Sequence, residues 1–465
     1  MPALPTNFST LLTSQLGAAT AGELLAGYDL PRQTAIRLNR AKAAGLHPNL
    51  ARVAHAERGY LLPERPVFAL DPLWHAGVYY VQEANSMLLG KVMAQVLTGT
   101  ETAVLDLCAA PGGKSTLLTD ALPEGCLLVS NEVVKARQPR LAENLARWGT
   151  ASHAITGLDP AELGKRLPGF FDVVVVDAPC SGEGLFRKEP EAVGEWSPVH
   201  VQHCAARQRR ILSDIWPVIK PGGYLIYSTC TLNADEDEAS LRHLLTLPDA
   251  QAVPIAHQPI GALPALDGLP GLRMAPDASG GEGFFISLVR KQGIDWVGFA
   301  YSSGKKSRLQ EPGRKLLQEV QRWAKPNAPL RFFEHHNGVF ALHAQAWKAL
   351  NLLLGACPII SAGTEAAEVA KSGFCTPSAD WATSIYLNPD AFTTARLTHR
   401  QALQYLHLDA PELESPPQGI ALMQYQGYGV GWGKFISTTR FNNLYPKPRR
   451  ILQEVENAPE WSLAE

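Results

Sequence analysis

The strongest constraint on this chain is a repeated alternation of short apolar runs with helical patterns between Ala103 and Val289. Residues 103–107, 127–130, 152–155, 171–176, 224–228 and 284–289 read as strands, while 114–121, 137–148, 161–167, 202–219 and 235–247 carry helical apolar spacing. Such a β-α repeat predicts an α/β fold, a doubly wound Rossmann-like sheet with right-handed crossovers. Four consecutive valines, residues 173–176, mark a strand buried on both faces, as parallel sheets require. Ligands of open α/β sheets bind beyond the carboxyl ends of the strands, so chemistry is expected in the loops that follow these runs.

Around this core the chain divides into four regions. Residues 1–72 form a small α+β unit in which helical patterns dominate and 34–38 reads as a short strand. Between positions 28 and 60, Arg32, Arg37, Arg40, Lys42, Arg52 and Arg58 face only Asp29 and Glu57, which suits contact with a polyanion or, equally, a solvated face. The catalytic domain spans 73–292 and begins with a strand turning into a helix. Asn85 or Ser86 is the expected cap of a helix over 87–97, with Gln82 and Glu83 facing a ligand or supporting that cap. Proline and glycine between 254 and 283 predict an irregular loop over the sheet edge. A basic linker, with Lys305, Lys306 and Arg308, then opens an intermediate domain over 293–384 whose fold the pattern does not define.

The last region, 385–465, alternates glycines with aromatics from Tyr425 to Lys434, and Arg440, Lys447, Arg449 and Arg450 follow. Glycine permits close approach, aromatics stack on bases and cations bind phosphate, so RNA contact is expected here. A glycine-bent β-hairpin with a basic end accounts for the same residues. Local patches of this kind matter because the net charge of −2 does not by itself indicate a nucleic-acid binder. The seven cysteines form no CxxC pair and no zinc spacing, so no metal is expected. Their odd number, with no leader and no apolar run of membrane-spanning length, suits the cytoplasm.

The loop after the first core strand, Cys108-Ala109-Ala110-Pro111-Gly112-Gly113-Lys114, ends like a phosphate-binding loop but has cysteine where the first glycine belongs. It is a small-residue turn at a helix amino terminus, shaped for a ligand with less phosphate. Glu132, after the second strand, suits two ribose hydroxyls, and Asp159, after the third, suits an adenine amino group. Together they fit S-adenosyl-L-methionine better than NAD or ATP. Cys180, in Asp177-Ala178-Pro179-Cys180, and Cys230, in Ser228-Thr229-Cys230-Thr231, then stand at the ends of two further strands beside this methyl donor. Either is a candidate nucleophile for carbon 6 of cytosine, whose attack makes carbon 5 able to take a methyl group. Asp177 is placed to steady the charge that develops on the ring.

These three motifs, in order and spacing, resemble those of the Sun/nucleolar-protein family of RNA (cytosine-C5) methyltransferases. The resemblance covers about residues 70–290 and extends through Tyr79 to Met87. The amino-terminal unit and the Gly431-Trp432-Gly433-Lys434 tail look most like its bacterial RsmF-type branch, which acts on small-subunit (16S) ribosomal RNA and carries a PUA-like carboxyl-terminal domain. The resemblance implies that Cys230 is the nucleophile and that Cys180 assists product release. It also implies that Cys108 to Lys114, Glu132, Asp159 and Asp177 hold the donor. Asp159 is the weakest match, because a proline follows it. Lys188 is a further RNA contact suggested by charge and position. A non-catalytic RNA-binding or ribosome-assembly factor retaining the same fold is the alternative.

Overall fold

The computed structural model describes residues 4–277, 280–293, 307–437, 440–456, 458–461 and 463. Helices α1 (Thr6–Leu16) and α2 (Ala18–Ala26) open the chain, with Phe8, Leu12, Leu16, Ala21 and Leu24 buried. This stripe packs with Phe186, Trp196, Val201 and Leu232, so the first helices rest on loops of the catalytic domain. Strand β1 (Thr34–Leu38) falls where the sequence places it and pairs antiparallel with β2 (Gly59–Leu62) on one side. After the short helix α3 (Pro72–His75), strand β3 (Tyr79–Val81) pairs on its other side.

The following helix starts later than its sequence suggests. Residues 85–88 form one tight turn, and α4 spans only Leu89–Val96. Neither Asn85 nor Ser86 is the cap. Glu83 does that work: its carboxylate accepts from the Asn85, Ser86 and Glu282 amides at 2.7, 2.6 and 2.8 Å.

Then come β4 (Ala103–Asp106), α5 (Gly113–Ala121), β5 (Leu127–Asn131), α6 (Gln138–Trp148), β6 (His153–Thr156), α7 (Pro160–Arg166) and β7 (Phe171–Asp177). Helices α8 (Pro190–Glu195) and α9 (Pro198–Ile215) precede β8 (Ile219–Thr229) and α10 (Glu238–Leu245). Helix α9 begins four residues earlier than expected, because Pro198 occupies its first turn and Ser197 accepts from the His200 amide. Short strands β9 (Ala250–Ala252) and β10 (Leu263–Pro264), then β11 (Gly271–Met274) and β12 (Phe284–Lys291), complete the domain.

The sheet runs β10-β11-β12-β8-β7-β4-β5-β6, with β4 to β8 parallel and β12 antiparallel to β8. The expected irregular loop over 254–283 is therefore partly wrong, since it contains β10 and β11. Strand β11 is buried throughout, and its apolar signature is interrupted by Arg273, whose charge is paired with Glu238 at 2.7 Å. Chain order reverses at β4, with β5 and β6 on one side and β7 and β8 on the other. Such a reversal opens a crevice at the carboxyl ends of β4 and β7.

Residues 301–306 of the expected basic linker lie outside the described residues. Beyond them, α11 (Arg314–Trp323), β13 (Leu330–His335), β14 (Gly338–His343), α12 (Trp347–Ala356), β15 (Ser361–Ala362), β16 (Thr364–Val369), β17 (Cys375–Pro377) and α13 (Ala379–Ala382) build a four-stranded antiparallel sheet, β13-β14-β16-β17. Strand β15 instead pairs with β6 and extends the central sheet. A last sheet follows, from β18 (Thr393–Leu397), α14 (His399–Leu406), β19 (Gly419–Tyr425), β20 (Tyr428–Phe435) and β21 (Phe441–Asn443).

The glycine-aromatic run is the β19-β20 hairpin. A Cβ on Gly431 would lie 2.1 Å from the Tyr405 hydroxyl, and Trp432, 1% exposed, donates its indole N–H to Ser378. Close packing thus explains its central glycine and Trp432, and that ring offers no face for a base. Lys434, Arg440, Lys447 and Arg450 are exposed, whereas Arg449 is tied to Asp380 at 2.8 Å.

Candidate active site

Three loops meet at the crevice: those leaving β4, β7 and β8. In the first, Gly112 takes a left-handed conformation (φ 115°) to start α5. Asn131 holds the loop from below: its side-chain amide donates to the Leu107 carbonyl, and its backbone carbonyl accepts from the Ala109 amide. Arg137 donates to the Ala110 carbonyl at 2.5 Å and Asn144 to the Pro111 carbonyl at 2.7 Å. Asp106 closes the floor, accepting from Ser115 at 2.6 Å with one oxygen. Its other oxygen is buried without a partner, and burial pushes its carboxyl up to about 7. Burial likewise pushes the Cys108 thiol far above its ordinary value.

Asp177 ends β7 opposite Ser228 of β8. It accepts from the Ser228 hydroxyl at 2.9 Å and pairs with Lys114 of α5 at 2.7 Å. Burial opposes the Lys114 charge, yet Asp177 holds its pKa above the ordinary lysine value. This register sets the cysteines side by side: Cys180 Sγ lies 2.9 Å from Cys230 Sγ, and both are unbridged and half-buried. The hydrogen bond to Cys230, reinforced by burial, holds Cys180 well above the usual thiol range.

Polar residues that sequence reasoning missed fix the two cysteine loops. Glu183, fully buried, accepts from the Leu232 and Asn233 amides at 2.8 and 3.1 Å, from the Asn233 side chain at 2.8 Å and from Trp196 at 3.0 Å. Its neighbour Gly184 donates to the Cys230 carbonyl at 2.8 Å, and a Cβ there would lie 2.2 Å from Gly283 O. Glu236 accepts from the Ser181 amide at 3.0 Å, from Asn233 at 2.9 Å and from Gln208 at 2.7 Å. Asp237 accepts from Thr229 and Thr231 on either side of Cys230. The amino-terminal unit joins in: Tyr28 donates to the Glu183 carbonyl at 3.0 Å, and Gln15 bonds Asp235 and the Ala234 amide at 2.8 Å. The only sequence signal for this network is the Ser181-Gly182-Glu183-Gly184 string itself.

The two remaining acids differ. Glu132 is buried directly after β5, accepting from the Val134 amide at 2.8 Å with Arg137 3.5 Å away. Asp159 is exposed and caps α7 through the Ala161 amide at 2.9 Å. Lys188 is exposed, 4.0 Å from Glu189. Among the described residues no group of three or more His, Cys, Asp or Glu side chains is arranged to hold a metal ion, and no helix is long and apolar enough to cross a membrane.

A parallel sheet with a small-residue loop after its first strand and acids after the next ones defines an S-adenosylmethionine-dependent methyltransferase. Three family models match in succession: the N-terminal domain of 16S rRNA methyltransferase RsmF over residues 4–84, 16S rRNA methyltransferase RsmB/F over 94–290, and the methyltransferase RsmF PUA domain over 392–451. Ribosomal RNA small subunit methyltransferase F of Aliivibrio fischeri is 30% identical over 93% of this chain and 94% of its own. The same-named protein of Pectobacterium atrosepticum is 31% identical over 82% of this chain and 78% of its own. Among solved structures, a methyltransferase homolog from Pyrococcus horikoshii superposes with a TM-score of 0.52 at 26% identity, covering 62% of this chain and 95% of that one. The chain belongs to the RsmB/F family of small-subunit ribosomal RNA methyltransferases.

Proposed function

We propose that this enzyme methylates carbon 5 of cytidine in small-subunit (16S) ribosomal RNA through a covalent bond between Cys230 and carbon 6. The 2.9 Å approach of two unbridged cysteines at the carboxyl edge of the sheet carries the proposal. Residues of the crevice fit the donor: the small-residue loop Cys108 to Lys114, the unpartnered Asp106 oxygen at its floor and Glu132 beside it. We assign donor binding to that loop with Glu132, Asp159 and Asp177, and we assign 1–72 and 385–465 to RNA contact, flanking a catalytic domain over 73–292 and an intermediate domain over 293–384.

S-adenosylmethionine, when bound, supplies an electrophilic methyl group. Cys230 as thiolate adds to carbon 6, which raises electron density at carbon 5. Asp177, anchored by Ser228 and Lys114, accepts from the exocyclic amine and from the N3–H formed as N3 takes up a proton from solvent, which offsets the charge that develops on the ring. After methylation, with S-adenosylhomocysteine as the leaving group, the carbon 5 proton passes to solvent water acting as base, N3 gives its proton back to solvent, the carbon 5–carbon 6 double bond re-forms and the Cys230 sulfur–carbon bond breaks. Cys180 donates its thiol hydrogen to the Cys230 sulfur, which favours the departing thiolate.

The roles separate experimentally. Cys230→Ala abolishes methyl transfer and forms no adduct, whereas Cys180→Ala accumulates a protein–RNA adduct that survives denaturing electrophoresis. An adduct formed by Cys230→Ala and lost in Cys180→Ala would reverse the assignment. Methylation of RNA without any adduct in either variant would overturn the covalent route.

A further inference from the structure

A second site lies away from the cysteines, between the amino-terminal unit and the catalytic domain. Arg37, Arg40, His55, Glu57 and Arg58 line one side of a cavity of about 200 Å³, and the other is lined by Met87 of the turn over 85–88, by α4 at Lys91 and Ala94, and by α5 at Leu117 and Asp120. The charges facing it do not balance. Asp120 is engaged by Arg37 at 2.7 Å, and Arg37 is saturated further by Gln82 and Thr116. Among the described residues Arg40, Arg58 and Lys91 form no ion pair; Arg40 and Arg58 reach only the carbonyls of Asp120 and Ala43. Arg58 Nε is buried and meets no acceptor. His55 donates Nε2–H to the Ala84 carbonyl, and burial holds its pKa below the ordinary value, so it presents Nδ1 as an acceptor.

Size narrows the ligand. About 200 Å³ exceeds the ~30 Å³ share of a water several-fold and falls short of the roughly 300–1,000 Å³ of a drug-sized pocket. Arg40 and Arg58 lie on one wall and Lys91 on the other, while Met87 and Leu117 are only 1% and 4% exposed, so the cavity suits a phosphate held between cations rather than a stacked base. Helix α5 starts at the donor loop and reaches the cavity at Leu117 and Asp120, roughly 10 Å further along its axis. One RNA segment can therefore touch both places.

We propose that this cavity binds a backbone phosphate of the substrate RNA away from the target nucleotide, held by Arg40, Arg58 and Lys91. The proposal rests on the enzyme acting on RNA but not on which base atom is methylated. Its test is the affinity of in-vitro-transcribed small-subunit ribosomal RNA for wild type, Lys91→Glu and Arg58→Gln across a salt series, with S-adenosylmethionine affinity as the control for folding. Each variant is expected to weaken RNA binding about 3- to 10-fold and to flatten the salt dependence by about 0.7 to 1 in log–log slope. Unchanged affinity and slope in both variants would overturn the proposal. So would binding of free adenosine or uridine 5′-monophosphate that is abolished in Lys91→Glu while RNA affinity stays at the wild-type level, which identifies a small-molecule site. Methyl transfer to an RNA atom other than carbon 5, with the variants weakened as expected, would remove the cytosine reading and leave this site standing.

Discussion

Glu183→Gln separates the placement of Cys230 from the stability of the fold. The carboxylate takes the Leu232 and Asn233 amides on one oxygen and Asn233 Nδ2, Trp196 Nε1 and, at 3.5 Å, the Ser181 hydroxyl on the other. Glutamine keeps one acceptor and turns an amino group toward the other donors. Whichever way it faces, at least two donors lose their partner, a loss of about 2 kcal/mol when compared with the neutral acid. Burial acts in the opposite direction. It raises Glu183 from 4.5 to about 7, so ionising this group in the folded protein costs about 3 kcal/mol at roughly 1.4 kcal/mol per pH unit. A group whose folded pKa is raised stabilises most below its unfolded value and loses that contribution as pH rises toward the folded one. Wild type therefore loses about 3 kcal/mol from this residue between pH 4.5 and 7.5, and the glutamine variant does not.

The variant is thus expected to be about 2 kcal/mol less stable than wild type at pH 4.5 and about 1 kcal/mol more stable at pH 8. Catalysis is expected to follow geometry instead. A shift of about 1 Å in the Cys230 loop costs on the order of 100-fold in the single-turnover rate. Chemical denaturation at the two pH values and single-turnover methyl transfer at pH 8 measure both. A variant that methylates within threefold of wild type would refute the positioning role. A variant with the wild-type pH dependence of stability would refute the burial argument.

Asp159→Ala removes the α7 cap and is expected to cost about 1 kcal/mol, while Asp159→Asn keeps it; weaker S-adenosylmethionine binding by calorimetry in both variants marks a direct contact with the donor, and weakening in the alanine variant alone marks the cap. Gly184→Ala forces a Cβ to within 2.2 Å of Gly283 O, so the Cys180 and Cys230 loops must part; the expected outcome is a thermal midpoint lowered by an overpacking cost of about 1–3 kcal/mol together with loss of adduct formation. Hydrogen peroxide is expected to join Cys180 to Cys230, reducing the peroxide to water as both thiols lose hydrogen, because the sulfurs already lie 2.9 Å apart. Peptide mapping without reductant detects the bridge, and activity returns with dithiothreitol.

The parallel strands were legible because burial on both faces leaves uninterrupted apolar runs, as in residues 173–176, and because helical spacing between them admits few topologies. Strand β11 was hidden by Arg273, a buried charge that reads as surface until Glu238 is seen against it. The motif cysteines were legible as candidates because strand ends and loop order follow from topology. Their support was not. Glu183, Glu236 and Asp237 look like ordinary loop acids, and nothing in periodicity tells a carboxylate that binds backbone amides from one that binds water. Glu83 shows the same limit, since the chain places the cap two residues before the turn it serves.

The carboxyl-terminal hairpin shows why composition alone does not say which of its residues face outward. Glycines alternating with aromatics describe both a stacking platform and a tightly packed β-ribbon, and the two differ only in what the glycine faces. Here Gly431 faces the Tyr405 hydroxyl and Trp432 is spent on Ser378. What remains outward is charge: Lys434, Arg440, Lys447 and Arg450. Exposed cations hold phosphates without reading sequence and lose their hold as salt displaces them. In the proposed reading, base recognition then concentrates at the cysteine crevice, where the catalytic domain supplies walls, while the cavity beside α5 and the carboxyl-terminal unit contribute a salt-sensitive grip on the RNA backbone.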